Sequence, residues 1–348
     1  MSKRSNRGSV ESVISDPKAL LNGNSGRWAT QQFKAAALAG KALSAGILRT
    51  LDTLRHEEWK YFDDALIEEA LIRLTGVADL VGRGLTKPVP NSLGKMVFAY
   101  EKVDFMDEAT VSLDGLSRTP NDRQEFSLNQ SPLPIIHKDF FINLRVLAAS
   151  REKGESLDTT QVRSAGRVVT EAAEKMLFQG GPTFGGMPIY GYTTFPDRNV
   201  DTFDGNKSWD DQTKAGTSFL ADIMAALAAL AADRQYGPYI VYVPTLAGVN
   251  IENDFNPGTS DTRTIRQRIL ATAQIADVRV ADQMPADQVV FVQMDANNVV
   301  WVQGENLQTI QWDEGGGFTI NFKAFQIGAP LIRSDAAGRS GIFHLTKS

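Results

Sequence analysis

The strongest helical pattern of the chain lies near its middle, in residues 158–180. Asp158, with Gln161 three positions later, predicts an N-cap with a capping box, and Gly180 predicts the C-terminal end. At about 1.5 Å per residue such a helix is a rod of roughly 30 Å, long enough to serve as a spine for the fold. Its apolar residues recur at the spacing of one helical face, and the core of that face is expected to contain Val162, Val169 and Met176.

Strands dominate the sequence after this rod. A second helix at 218–232 intervenes, and it is apolar on almost every face, which predicts burial on several sides. The continuous apolar run Tyr239–Val243 predicts a buried strand. A third, basic helix at about 261–274 precedes further strands, which are predicted at 278–281, 289–294, 299–303, 307–312 and 318–327. The pattern is that of an α+β fold in two interleaved parts.

The pattern of residues 95–132, which precede the spine helix, predicts a long two-stranded hairpin. Strand-like alternation on both sides encloses a polar tip at 114–123 that contains Gly115 and Pro120. A hairpin with so few apolar residues is only marginally stable alone. We therefore expect it to lie on another surface, which in an assembly would be a neighbouring subunit. The residues expected in that contact are Leu113, Arg118 and Arg123.

The N-terminal segment differs from the rest of the chain in charge. Residues 1–49 hold eight Lys/Arg against two Asp/Glu, a net charge of +6, which leaves −11 for the rest of a chain whose total is −5. We expect an extended arm over 1–26, an amphipathic helix over 28–54, and a second helix from His56 to about Leu80. Because the acidic body argues against a dedicated nucleic-acid binder, the arm is predicted to dock on its own or a neighbouring subunit. Its contact residues would be Trp28, Phe33 and Ile47.

Residue types that perform chemistry are few or unsuitably placed. The chain has no cysteine, and its three histidines, His56, His137 and His344, are far apart. The glycine cluster at 180–186 follows a helix rather than a strand and lacks a Lys-Ser/Thr pair, so a phosphate cradle is not predicted. Adjacent carboxylates in the predicted helices point to different faces. We predict no enzyme activity, no cofactor, no metal site and no membrane span.

Several segments, taken in order, resemble one family of shell proteins, the encapsulins. The passage 133–160 looks like the entry into their spine helix, and 167–180 is similar to that helix with its Phe-x-Gly end. Residues 237–243 resemble the central strand of their A-domain, and 282–304 the strands that return from it. Residues 318–325 resemble the strand that re-enters their P-domain, so the order of the segments is that of the family.

This resemblance, which covers about residues 56–345, implies the Hong Kong 97 phage capsid fold that encapsulins share. It implies two domains, named P and A, together with a long E-loop and an N-terminal arm. The expected segments are an arm with an amphipathic helix (1–55), a P-domain N-terminal helix and connector (56–94), the E-loop (95–132), the P-domain with the spine helix 158–180 (133–215), the A-domain (216–312), and a return strand to the P-domain with the C-terminus (313–348).

By the same resemblance the chain is expected to be the major capsid protein of a tailed double-stranded DNA bacteriophage, assembled as hexamers and pentamers of an icosahedral shell. The alternative is an encapsulin shell that encloses a cargo enzyme. The phage capsid is favoured because about fifty basic, helix-containing residues precede the position at which compact encapsulins begin. Portal, scaffold and decoration proteins are the expected further partners, and packaged DNA is expected to make only loose contact. The expected location is the virion capsid, assembled in the host bacterial cytoplasm.

Overall fold

The computed structural model describes residues 64–66, 75–103, 111, 113, 126–143, 159–256, 263–314, 319–335 and 337–347. The predicted arm and the predicted hairpin tip lie outside the described residues. Expectations about Trp28, Phe33, Ile47, Arg118 and Arg123 therefore stay predictions.

In the described residues the helices are α1 (Gly76–Gly82), α2 (Thr160–Gln179), α3 (Gly216–Ala232), α4 (Thr245–Asn250) and α5 (Ile265–Leu270). Short 3-10 turns lie at Ser92–Gly94 and Asp204–Asn206. The strands are β1 (Thr86–Pro88), β2 (Val97–Val103), β3 (Phe126–Pro132), β4 (Ile135–Asn143), β5 (Gly181–Phe184), β6 (Met187–Ile189), β7 (Asn199–Thr202), β8 (Tyr239–Val243), β9 (Ile275–Val280), β10 (Gln288–Gln293), β11 (Val299–Glu314), β12 (Thr319–Ile332) and β13 (Ile342–Thr346).

Helix α2 occupies the position of the predicted spine and contacts both larger sheets. Val162 and Val169 are buried against Phe322 and its neighbours on β12. Further along the helix, Met176 packs in a cluster that includes Tyr242 of β8. The apolar stripe of one helix thus joins two layers that are distant in sequence.

The start of α2 lies one residue later than the sequence predicts. The N-cap is Thr159, with no side-chain capping bond, and the predicted cap Asp158 lies outside the described residues. The segment Asp-Thr-Thr contains three residue types that favour N-caps, so the pattern alone selects none of them. The predicted helix from His56 to Leu80 also differs, because α1 begins anew at Gly76 after a bend at Thr75. A Cβ at Gly76 would lie 2.8 Å from Leu177 Cδ2, so this close start requires glycine.

The four-stranded sheet has the order β1-β11-β12-β4. β12 is antiparallel to both β11 and β4, whereas β1 runs parallel to β11. The two strands predicted at 299–303 and 307–312 are a single strand, β11. The ladder continues through register shifts between Gln303 and Glu305 and between Glu305 and Gln308. Such bulges interrupt the alternation of polar and apolar residues without ending the strand, which explains the error.

The five-stranded sheet has the order β7-β13-β10-β8-β9. Strand β8 has the predicted bounds and is buried along its whole length. The segment predicted at 313–348 as a return strand is divided between the sheets, because β12 lies in the four-stranded sheet and β13 lies in this one. Likewise, the segment predicted at 216–312 supplies strands to both sheets, with β11 in the other one.

Helix α3 covers the five-stranded sheet with one face only. Phe219, Ile223 and Leu230 are buried, whereas Met224 is 55% exposed. The prediction of burial on several sides is therefore wrong for the single chain, since alanine-rich faces satisfy a hydropathy pattern without packing. The basic helix predicted at about 261–274 is also shorter, because α5 begins after a capping box at Thr264 and ends at Leu270.

Candidate subunit interface

The four-stranded sheet has one covered and one open face. Ile320, Phe322 and Ala324 of β12 point toward α2, and Phe140 of β4 stacks on Phe322 at 5.1 Å between ring centroids. Because side chains alternate along a strand, the residues between them belong to the opposite face. We call that opposite side the outer face of the sheet.

Exposed aromatic and aliphatic side chains form a strip on the outer face. In one row of the ladder, Trp312, Asn321 and Phe141 lie side by side on β11, β12 and β4. In the next row on the same face, Ile310 and Asp139 flank Lys323. We define the outer strip as these apolar residues, with their exposed fractions: Phe141 (62%), Ile310 (48%) and Trp312 (36%).

A basic side chain and a carboxylate lie within the outer strip. Lys323 Nζ is 3.6 Å from Asp139 Oδ1 and 5.7 Å from the ring centroid of Trp312. An exposed ion pair of this kind contributes little to stability. Exposed aromatic residues together with a polar pair are typical of contact surfaces between proteins.

The β2–β3 hairpin covers one end of the outer face. Phe325, one row beyond Lys323 on the same side of β12, is buried in a cluster with Phe98 of β2 and Leu133. The cluster also contains Ile327 and Leu331 of β12. The outer face is therefore closed where the hairpin begins and open at the outer strip.

A second contact, farther from the base, attaches the hairpin to its own chain through Lys102 and Asp197. Lys102 Nζ lies 3.1 Å from Asp197 Oδ2, in the loop before β7, and Ser334 Oγ donates a hydrogen bond to the same carboxylate oxygen. Burial raises the pKa of Asp197, but the bonds from Ser334 and Lys102 outweigh it and bring the pKa below the ordinary value of 3.8. The expectation that residues 95–132 lie on a neighbour is therefore wrong for the described base of the hairpin, which packs on its own subunit.

The apolar side chains that remain free on the hairpin lie near its base and toward its tip. Met96 and Leu128 are exposed near the base, and Val111 and Leu113 are exposed just before the predicted tip at 114–123. Leu113 is the one predicted contact residue of the hairpin that the structure describes, and its side chain is exposed, with no covering side chain among the described residues. Its burial in an assembly stays a prediction.

A fully buried ion pair stiffens the edge of the five-stranded sheet. Lys214 Nζ is 3.0 Å from Asp222 Oδ2, and the two side chains are 0% and 1% exposed. Asp222 also accepts hydrogen bonds from the Trp209 indole N–H and the Asp204 backbone N–H, both at 2.7 Å. Because each charge is paired and hydrogen-bonded, the network fixes the loop before α3 rather than marking a reactive site. The composition alone gave no sign of this pair.

The described residues contain two of the three histidines and the glycine cluster, whereas His56 lies outside them. His344 accepts a hydrogen bond from Arg198 Nε at its Nδ1, and burial together with this arginine lowers the pKa of His344 to about 4. His137 is exposed on β4. The glycine cluster forms the β5–β6 hairpin, whose turn needs Gly185 and Gly186 at positive φ (57° and 82°).

Within the described part of the chain, no group of three or more His, Asp or Glu side chains is placed to hold a metal ion. In the same residues, no helix is long and apolar enough to cross a membrane.

Three comparisons relate the chain to known proteins. A family model described as "family of unknown function (DUF6260)" matches residues 48–345. The Type 1 encapsulin shell protein EncA of Myxococcus xanthus is 25% identical over 223 residues, which are 62% of this chain and 69% of that protein.

Solved structures show the same fold at low sequence identity. The virus-like particle from Pyrococcus furiosus is 14% identical with a TM-score of 0.59, covering 83% of this chain and 98% of its own. The capsid of Myoviridae phage XM1 is 11% identical with a TM-score of 0.57, covering 79% and 93%. The capsid of an empty GTA particle is 15% identical with a TM-score of 0.52, covering 79% and 91%. The predicted α+β fold of the Hong Kong 97 type and the resemblance to phage capsid and encapsulin proteins are confirmed.

Proposed function

The chain belongs to the family of unknown function DUF6260, and we propose that it is a structural subunit that assembles with copies of itself into a closed shell. The observation that carries the proposal is the outer face of the four-stranded sheet, which the chain's own hairpin covers at Phe325 and leaves open at the outer strip. Proteins with the same fold are shell proteins by name, which supports the proposal. The subunit has no catalytic role in it.

The proposed contact joins the tip segment of one subunit's hairpin to the outer strip of the next subunit. Val111 and Leu113 supply apolar surface, and the outer strip supplies Phe141 and Ile310. A hairpin of this length gains stability when it packs on a surface that is already folded. Arg118 and Arg123 add positive charge to a tip that meets an acidic body. Each subunit would give one hairpin and receive one, so the contact is head-to-tail and can close into rings.

The arm is proposed to add a second contact between subunits. Its charge of +6 complements the −11 of the remaining chain, and Trp28, Phe33 and Ile47 would provide the apolar anchor. Truncation to Arg55 should then weaken shells with or without DNA, and the difference from wild type should shrink at high salt, where the attraction between the arm and the acidic body is screened. Truncated chains that form normal shells and lose only nucleic acid would make the arm a packaging element.

We propose more specifically that this closed shell is the capsid of a tailed double-stranded DNA bacteriophage. The basic N-terminal extension supports it, whereas the likeness to the Myxococcus xanthus encapsulin shell protein supports an encapsulin compartment as the second candidate. Negative-stain images and the contents of purified particles separate the two. Tails and nuclease-protected DNA are expected for the phage capsid, and an enclosed enzyme without tails would favour the encapsulin.

The interface is tested by replacing the outer strip with polar residues. The double variant Phe141→Ser/Ile310→Ser should leave the thermal midpoint nearly unchanged, because both side chains are exposed in the single chain. Shell formation, measured by light scattering and negative stain, should fall strongly. The matched control is Val168→Ser, an exposed apolar residue on α2 outside the outer strip.

Two outcomes would contradict different parts of the proposal. Normal shells from the double variant would remove the outer strip from the interface while leaving shell formation intact. A wild-type chain that stays monomeric at every concentration and salt tested would overturn the function itself.

A further inference from the structure

His344 is a buried residue near one edge of the five-stranded sheet. It belongs to β13, where its neighbours across the ladder are Val290 of β10 and Val200 of β7. Only 4% of the residue is exposed, so the ring is shielded from water. Strand β7 has four residues and is the outermost strand of this sheet, with β13 as its neighbour. Its attachment therefore depends on few contacts.

Both ring nitrogens of His344 have a partner, and the partners define the protonation state of the ring. Arg198 Nε donates a hydrogen bond to Nδ1 at 3.2 Å, and Gln288 Oε1 lies 3.1 Å from Nε2. An arginine side chain has donors and no acceptor, so Nδ1 must offer a lone pair rather than a proton. The ring is therefore neutral, and its Nε2–H group donates to Gln288.

A second proton on the ring would disrupt this arrangement. It would place an N–H group of a charged imidazolium against the Nε–H group of Arg198, so that two donors and two positive charges would meet at 3.2 Å. Because the ring is buried, water does not separate the two charges. The contact between Arg198 and His344 thus requires the neutral ring on geometric grounds alone.

The acids next to this contact are engaged elsewhere or face away. Asp197, which precedes Arg198 in the chain, pairs with Lys102 at 3.1 Å. Asp201 alternates with Val200 along β7, so its side chain points to the opposite face of the sheet. Within the described residues, the charge that acts on His344 is that of Arg198, and no carboxylate is paired with the ring.

Arg198 attaches the segment that leads into β7. Its Nη1 donates to the backbone oxygen of Phe195 at 2.6 Å, so the guanidinium joins this loop to β13 through His344. Strand β7 begins at Asn199, one residue after Arg198. Loss of the bond to His344 would therefore loosen the start of β7.

We propose that His344 is an acid-sensitive clamp at this edge of the sheet: the neutral ring holds Arg198 and the segment that leads into β7, and protonation of the ring releases them. The clamp lies within one subunit, so it does not depend on the proposed shell.

The pKa of His344 supports the direction of the effect. Burial and, after it, the charge of Arg198 lower this pKa from 6.5 to about 4. When β7 detaches locally, the ring meets water and its pKa returns toward 6.5. The attached state therefore binds the proton less tightly, so the attachment is complete above pH 6.5 and weakens as the pH falls toward 4.

Hydrogen exchange of the full-length protein, measured by mass spectrometry between pH 7 and pH 5, tests the clamp. Carboxyl groups with ordinary pKa values stay ionised in this range, whereas a histidine in water titrates. After correction for the chemical exchange rate, the opening of the peptide that covers residues 198–202 should increase roughly 20-fold as the pH falls from 7 to 5. Helix α5, which packs on β9 at the other edge of the sheet, serves as the internal reference.

His344→Gln cannot take up a proton, and its amide oxygen can still accept a hydrogen bond from Arg198, so its opening should not rise as the pH falls. The matched control is His137→Gln, which should keep the wild-type profile because His137 is exposed on β4. A flat wild-type profile, or the same rise in His344→Gln, would overturn the proposal. If His344→Gln fails to fold, Arg198→Gln decides, because without the positive charge beside the ring the rise should become smaller. An undiminished rise in Arg198→Gln would contradict the clamp and assign the effect to another group.

Discussion

Helix α2 and the β2–β3 hairpin have a similar reach, about 30 Å and about 23 Å, but they are stabilised in opposite ways. Helix α2 is covered on one side by the four-stranded sheet and, toward its end, by core side chains of the five-stranded sheet. In the described part of the hairpin, by contrast, Phe98 and Pro132 near the base are buried, while the other described side chains of the two strands are at most half-buried. The hairpin is held at its base and by the Lys102–Asp197 pair.

The difference separates two tasks within one chain. An element whose partners all lie in its own chain makes the subunit stable before any other copy arrives. An element with free apolar side chains, such as Leu113 and Leu128, gains stability only from a second surface. Substitutions in α2 should therefore affect unfolding first, and substitutions toward the hairpin tip should affect assembly first.

The largest effect is expected from Val169→Asp in α2. Val169 is 1% exposed, so the change places an unpaired charge among Phe322 and its neighbours and should lower the free energy of unfolding by roughly 3–5 kcal/mol. Chemical denaturation measures it. Val168→Asp, one residue earlier and 41% exposed, is the control and should change the free energy by about 0.5 kcal/mol or less. Equal effects of the two variants would mean that the buried face of α2 is assigned wrongly.

A smaller effect is expected from Lys102→Met. This change removes the ion pair with Asp197, which attaches the hairpin to its own subunit at a point beyond the base. Both partners are partly exposed, so the loss in free energy should be about 0.5 kcal/mol or less. Because the pKa of Asp197 lies below 3.8 in the folded chain, the pair stabilises above that pH and is lost as the pH falls through the lower folded value. The difference between wild type and variant should therefore vanish in strong acid. A difference that grows on acidification would contradict this role of Asp197.

The smallest effect on stability, and the largest on assembly, is expected from deletion of residues 113–123. The free energy of unfolding should stay within about 0.5 kcal/mol of wild type, since Leu113 is exposed in the single chain. Soluble subunits with a reduced yield of shells are the expected result, measured by size-exclusion chromatography and negative stain. Normal, stable shells from the deletion would show that the hairpin tip is not needed for assembly, and the proposed difference between α2 and the hairpin would be wrong.

Local patterns predicted which faces of α2 and β8 are buried. The seven-residue spacing of Val162, Val169 and Met176, which is about two helical turns, identifies the buried face of α2, and the continuous run Tyr239–Val243 identifies β8. Both predictions succeed because burial on one face, or on two, imposes a periodicity on neighbouring residues. The polar composition of residues 95–132 likewise indicated a hairpin that needs support, although it could not say that the base is supported by its own chain.

The tertiary structure alone decided which distant residues meet. A hydropathy pattern treats Glu174 as one more polar residue of a helix, although its spacing from Gly166 and Thr170 places it at the edge of the buried face. Its partners, the backbone N–H groups of Thr75–Val77, lie about a hundred residues earlier. The same holds for the outer strip and for β13, which pairs with β10. Periodicity reports which side of an element is buried, but it carries no information on what buries it, because any apolar surface satisfies the same pattern.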